Sequence, residues 1–119
     1  MIELLESPST VLAVRAAGRL TKEDYETVLE PAVARHVSET GELRAVIVVG
    51  DEFDSFTAGA AWEDTKFGIA HWGKWKRCAV VSDKDWVEGG VKVFGWMMPG
   101  EVKVFEADDL DDAIEWAAE

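Results

Sequence analysis

Cysteine is almost missing from this chain of 119 residues: Cys78 stands alone, so no internal disulfide can form. The short, loop-rich fold stapled by bridges is thereby excluded, and a reducing, cytoplasmic setting is the expectation. Histidine occurs only at positions 36 and 71. Long apolar runs are also absent. Nothing approaches the ~18 consecutive apolar residues that a membrane span needs. The opening residues, MIELLESPST, have neither a basic start nor a long apolar stretch, so no secretory signal is expected. Positive charge is scarce: 12 basic residues against 24 acidic ones leave a net charge of −12. A field of that sign repels phosphate backbones and anionic lipid surfaces, so nucleic-acid and membrane-surface binding are not expected. Lys74, Lys76 and Arg77 around Trp75 form a local basic cluster, read as a solvated strand start.

What is present points to one folded domain over residues 1–119. The apolar share is 48%, enough for an ordinary core at this length. Residues 2–6 read as a short strand, Ser7-Pro8-Ser9 as a turn, and residues 10–17 as a second strand antiparallel to the first. Gly18 ends that pattern. Thr21 with Asp24 has the spacing of a capping box. A helix comes next, with Tyr25, Val28, Leu29, Ala32, His36 and Val37 on one face. Pro31 lies inside it and predicts a kink or split near Glu30, and Gly41 closes it. Residues 43–49 are nearly all apolar, as in a central strand covered on both faces. A loop is expected from Gly50 to Phe56, then a helix over about 58–72. Cys78 to Val81, entered from Trp75, read as another buried strand. Ser82 with Asp85 predicts a second cap, for a helix that Pro99 and Gly100 terminate. Residues 101–106 alternate as a half-buried strand does. Asp108 with Asp111 predicts the cap of a last helix.

The predicted order is β-β-α-β-α-β-α-β-α. It describes an α/β fold with a mainly parallel five-stranded sheet and an antiparallel N-terminal strand. With strands laid down in sequence, right-handed crossovers put every crossover helix on one sheet face. The opposite face is then an expected place for partners, unless another element covers it.

Four segments in this order, GRLTKEDYETVLEP (18–31), DEFDSFTAGAAWEDTKFG (51–68), KRCAVVSDKDW (76–86) and EVKVFEADDLDDAIEW (101–116), resemble the SpoIIAA-like family. Its members are small bacterial proteins of STAS-type fold, similar in shape to anti-sigma factor antagonists and CRAL-TRIO lipid carriers. The resemblance implies a bacterial, cytoplasmic module and brings no defined activity. In the antagonists, a serine after a central strand sits at a helix N-terminus, within Asp-Ser-Ser/Thr-Gly. Here the matching stretch is Asp54-Ser55-Phe56-Thr57-Ala58-Gly59. Ser55 is read either as the phospho-acceptor that this likeness implies or as a plain helix cap; Phe56 stands where the pattern has a small residue.

The residues offer little for catalysis. Asp64 and His71 are about 10 Å apart along a helix, too far to share one metal ion, and Glu63 lacks a partner at metal-binding spacing. Cys78 is expected as an inert core thiol. No phosphate-cradling glycine loop or nucleophile motif occurs. The expectation is a protein without catalytic residues, metal or cofactor. The aromatic residues are the remaining signal. With six tryptophans in 119 residues, the 58–72 helix carries more apolar perimeter than one sheet face can cover. Phe56, Trp62, Phe67 and Trp72, with Trp86 and Trp96 as further walls, are the candidate surface. It would dock a protein partner or a second copy of the chain as a homodimer; the alternative is a carrier or sensor of a small apolar, lipid-like ligand.

Overall fold

The computed structural model describes residues 1–56, 72–83 and 100–119. Five strands form one sheet in the order β1-β2-β3-β4-β5: β1 (Ile2–Leu4), β2 (Leu12–Leu20), β3 (Leu43–Phe56), β4 (Trp75–Val81) and β5 (Glu101–Phe105). β1 runs antiparallel to β2, and the other neighbours are parallel. The predicted mixed α/β sheet is therefore present, and spatial order follows chain order.

Two boundaries differ from the sequence expectation. β2 does not stop at Gly18, and β3 does not give way to a loop at Gly50. Gly18 adopts a left-handed φ of 63°, where a side chain would be strained, and it carries β2 through an irregularity to Leu20. Ala16 pairs with Val49 but Gly18 pairs with Phe53, so β3 holds two more residues than β2 over that interval. The bulge lets β3 find a partner as far as Phe56. A glycine in a strand reads locally as a break; the neighbouring strand makes it a bulge.

The first helical region is three pieces: α1 (Lys22–Asp24), a π-helical turn (Tyr25–Leu29) and α2 (Glu30–Thr40). Thr21 caps α1 with the predicted reciprocal bonds. The Asp24 amide donates to Thr21 Oγ1 at 3.2 Å, and the Thr21 amide donates to an Asp24 carboxylate oxygen at 2.9 Å. The irregularity expected near Glu30 is the π turn, in which the Glu30 amide reaches back five residues to the Tyr25 carbonyl. Pro31 lacks an amide hydrogen, and in a regular helix its ring would press on the Thr27 carbonyl; the wider turn relieves that clash. The extra residue also rotates α2 relative to a regular continuation of the helix. Val33 is almost fully buried where the periodic pattern had placed Ala32. Gly41 ends α2 in the left-handed conformation, φ 80°.

A 3₁₀ turn (Ala107–Asp109) leads into α3 (Leu110–Ala118). The expected Asp108–Asp111 cap is not made. Asp109 is the N-cap and has no side-chain cap bond. Instead the Asp83 carboxylate accepts from the Ala107 amide at 2.9 Å and fixes the entry to the helix.

The two sheet faces alternate strictly along the strands, as period-2 geometry requires. Val14, Ala16 and Val49 face the π turn, and Leu43 and Ala45 pack with Val33 and Val37 of α2. Ala13, Val46, Val48, Ala79 and Val81 face α3. The face that right-handed crossovers leave open is thus covered by α3. Ala113 and Ala117 are both 0% exposed, and their small side chains let the helix backbone approach the sheet closely. Arg44 and Arg77, register partners on β3 and β4, hold its C-terminal end. Arg44 donates to the Ala117 carbonyl at 2.9 Å and Arg77 to the Trp116 carbonyl at 2.8 Å. The Trp116 carbonyl also accepts from the Glu119 amide at 3.2 Å, so Arg77 shares it with the helix end; cations there also suit the helix dipole. The Arg77 guanidinium lies 4.9 Å from the centre of the Trp116 ring. Arg77 therefore leaves the basic cluster read from sequence; Lys74 and Lys76 remain exposed.

Candidate functional site

The π turn positions the candidate site. It stands over the part of the sheet where β2 contributes Val14 and Ala16, flanked by Ile2 on β1 and by Ile47 and Val49 on β3. Ala16 is the small residue in this row. A wide helical turn above and a short side chain below leave an apolar cavity of about 150 Å³, lined by Ile2, Val14, Ala16, Leu20, Tyr25, Leu29, Ile47 and Val49. Aliphatic carbons and one tyrosine ring make up the wall, so the space suits apolar atoms and offers no charge.

A second concavity lies on the outer side of α2. Ala32, Arg35, His36 and Glu39, spaced i, i+3, i+4 and i+7, form one wall, and Leu4 and Leu12 form the other. His36 is 7% exposed and its Nε2 is buried without a hydrogen-bond partner. Burial lowers its pKa below the usual 6.5, while the Glu39 and Glu42 carboxylates oppose that shift. Arg35 and Glu39 pair with each other at 3.1 Å on the exposed rim.

Asp24 sits at the head of the helical region. Burial raises its pKa, but the Thr21 amide and hydroxyl and the nearby N-terminal ammonium outweigh that and leave it below 3.8. The ammonium lies 3.4 Å from its carboxylate.

Of the residues singled out in the sequence, Ser55 and Phe56 form the end of β3, register partners of Arg19 and Leu20. Trp72 opens a 3₁₀ turn (Trp72–Lys74) before β4. Trp62, Phe67, Trp86 and Trp96, together with Glu63, Asp64, His71 and Asp85, lie outside the described residues. Cys78 is buried as expected. Among the described residues, no group of three His, Cys, Asp or Glu side chains could hold a metal ion, and no helix is long and apolar enough to cross a membrane. All the cavity residues except Leu20, which fell in the expected break after Gly18, were placed on strands or a helix by their pattern, but nothing local marked them as a cavity lining. The signal was indirect: Pro31, soon after Tyr25, demands an irregular helix, and Ala16 is the small residue beneath it.

No curated protein sequence matches this chain. The solved structure of an uncharacterized protein of the DUF3478 family with a SpoIIAA-like fold, from Shewanella loihica PV-4, is similar. It is 32% identical, superposes with a TM-score of 0.76, and the match covers 98% of this chain and 92% of that one. The sequence profile of the SpoIIAA-like family matches residues 11–118, from the start of β2 to the end of α3. The chain belongs to the SpoIIAA-like family.

Proposed function

We propose that the chain is a non-catalytic regulatory module, one domain over residues 1–119, that senses a small apolar ligand in the bacterial cytoplasm without a cofactor. The fold fits a module of this kind. The observation that carries the reading is the cavity of about 150 Å³ between the π turn and β2–β3. Apolar cavities of about that size stay dry and take up benzene-sized guests, whereas ligand pockets for larger molecules run from ~300 Å³ upward. The size favours a small ring or a short branched chain over a long-chain lipid. The π turn is a fitting sensor, because an interrupted hydrogen-bond ladder can shift at less cost than a regular one.

Thermal unfolding in the presence of increasing benzene tests this. Stabilisation is expected that grows by about 1.4 kcal/mol per tenfold rise in free ligand above Kd. A melting temperature that does not respond to benzene rules the reading out.

The second reading is docking of a protein partner, or of a second copy, through Phe56, Trp62, Phe67, Trp72, Trp86 and Trp96. The six tryptophans favour it. Ser55, next to Phe56 in β3, would then be placed for phosphorylation to control that docking. Native mass spectrometry separates the readings: a clean homodimer supports docking, and a monomer carrying small-molecule mass supports sensing.

A further inference from the structure

The outer edge of β1 carries a further site, distinct from the cavity. In the antiparallel pair of β1 with β2, the Ala17 amide donates to the Met1 carbonyl and the Leu5 amide to the Ala13 carbonyl. Glu3 is register partner of Arg15, between these two bonds. Hydrogen-bonded pairs alternate with unbonded ones in such a ladder, so Met1, Glu3 and Leu5 face β2 with their backbone groups. The amides and carbonyls of Ile2 and Leu4 therefore point outward, where β1 is the terminal strand of the sheet.

Among the described residues, no strand pairs with this edge. Leu4 is 53% exposed, and α2 turns the stripe Ala32, Arg35, His36 and Glu39 toward it. Together with Leu4 and Leu12 that stripe frames a groove of about 220 Å³. His36 is part of this groove and is 7% exposed.

We propose that an extended segment of a basic partner protein adds to the sheet along β1, with an apolar side chain in the groove beside Leu4 and Leu12. Backbone groups dictate the extended form, since only a strand can pair with Ile2 and Leu4 in register. Charge dictates the sign. Glu3 projects from the face away from α2, with Arg15 across from it on one side only; a strand on the other side places a residue next to Glu3, and a cation is favoured there. The net charge of −12 attracts the same kind of segment. It also disfavours a second copy: symmetric pairing of two β1 strands sets Glu3 against its own counterpart.

A fluorescein-labelled peptide of alternating lysine and valine is the probe, read by fluorescence anisotropy. Its control is the same peptide N-methylated at every residue, which keeps charge and side chains but removes the amide donors from both edges. A Leu4→Pro variant removes the outward donor of β1 while leaving the bonds to β2, as edge positions allow. Loss of one or two net hydrogen bonds predicts about tenfold weaker binding in each case. Hydrogen exchange at the Ile2 and Leu4 amides should slow when the unmodified peptide binds. Equal binding of the N-methylated peptide, or self-association through β1 in sedimentation, overturns the proposal. The peptide comparison uses the wild-type chain, so it stands even where Leu4→Pro fails to fold.

Discussion

Filling the cavity is the sharpest perturbation of the site. Ala16 lies in its floor and is itself buried. Leucine adds three carbons there. At about 0.8 kcal/mol per buried carbon these contribute up to roughly 2.4 kcal/mol, and fixing the new side chain costs about 0.5–1 kcal/mol. Space of about 150 Å³ is already open at this position, so the usual overpacking penalty of about 1–3 kcal/mol should be largely avoided. Ala16→Leu is therefore expected to stabilise the protein by about 1–2 kcal/mol, which raises Tm by roughly 4–8 °C for a chain of this size. Benzene should no longer stabilise it. Urea unfolding followed by circular dichroism gives the first quantity, and thermal scans with and without benzene give the second. A variant destabilised by more than about 1 kcal/mol would show that the space does not exist in solution. A variant that still responds to benzene would place the ligand elsewhere.

Three further expectations come from the packing. Thr21→Ala removes the side-chain half of the cap, the bond from the Asp24 amide to Thr21 Oγ1, and should cost about 1 kcal/mol in urea unfolding. It should also raise the Asp24 pKa, since the Thr21 hydroxyl bond that helps to lower it is lost while the backbone amide bond remains; carbon-detected NMR titration reads that change directly. Gly100→Ala should be harmful despite its small size. A methyl at Gly100 would stand 2.7 Å from the Lys76 carbonyl oxygen and 2.9 Å from that of Trp75, backbone atoms that cannot turn aside, so a loss of about 1–3 kcal/mol is expected by chemical denaturation. His36 has a folded pKa below its unfolded 6.5. The unfolded chain therefore binds the proton first, and the stability that His36 contributes is complete above pH 6.5 and lost as pH falls through the folded value. Denaturation midpoints measured across that window should decline for the wild type and decline less for His36→Asn.

Much of the architecture was legible from the chain alone, because its elements announce themselves by local rules. The 43–49 run is apolar on both faces and became the centre of the sheet; Thr21–Asp24 and Gly41 bracket the first helical region as caps do. Where the reading failed, a neighbour overrode a local rule. Gly18 and Gly50 look like breaks, but β2 and β3 support each other through a bulge to Leu20 and Phe56. Asp108 and Asp111 have capping-box spacing, but Asp83 takes the Ala107 amide and shifts the helix start.

The sequence determined which segments extend, which coil, and in what order, since those choices depend on residues a few positions apart. Only the tertiary structure decided that α3 closes the second sheet face, that Arg44 and Arg77 cap a helix far along the chain, and that Pro31 and Ala16 together leave an apolar hollow. Each of these is a relation between surfaces distant in sequence, set by side-chain volume and by which backbone groups still need a partner once the strands have paired.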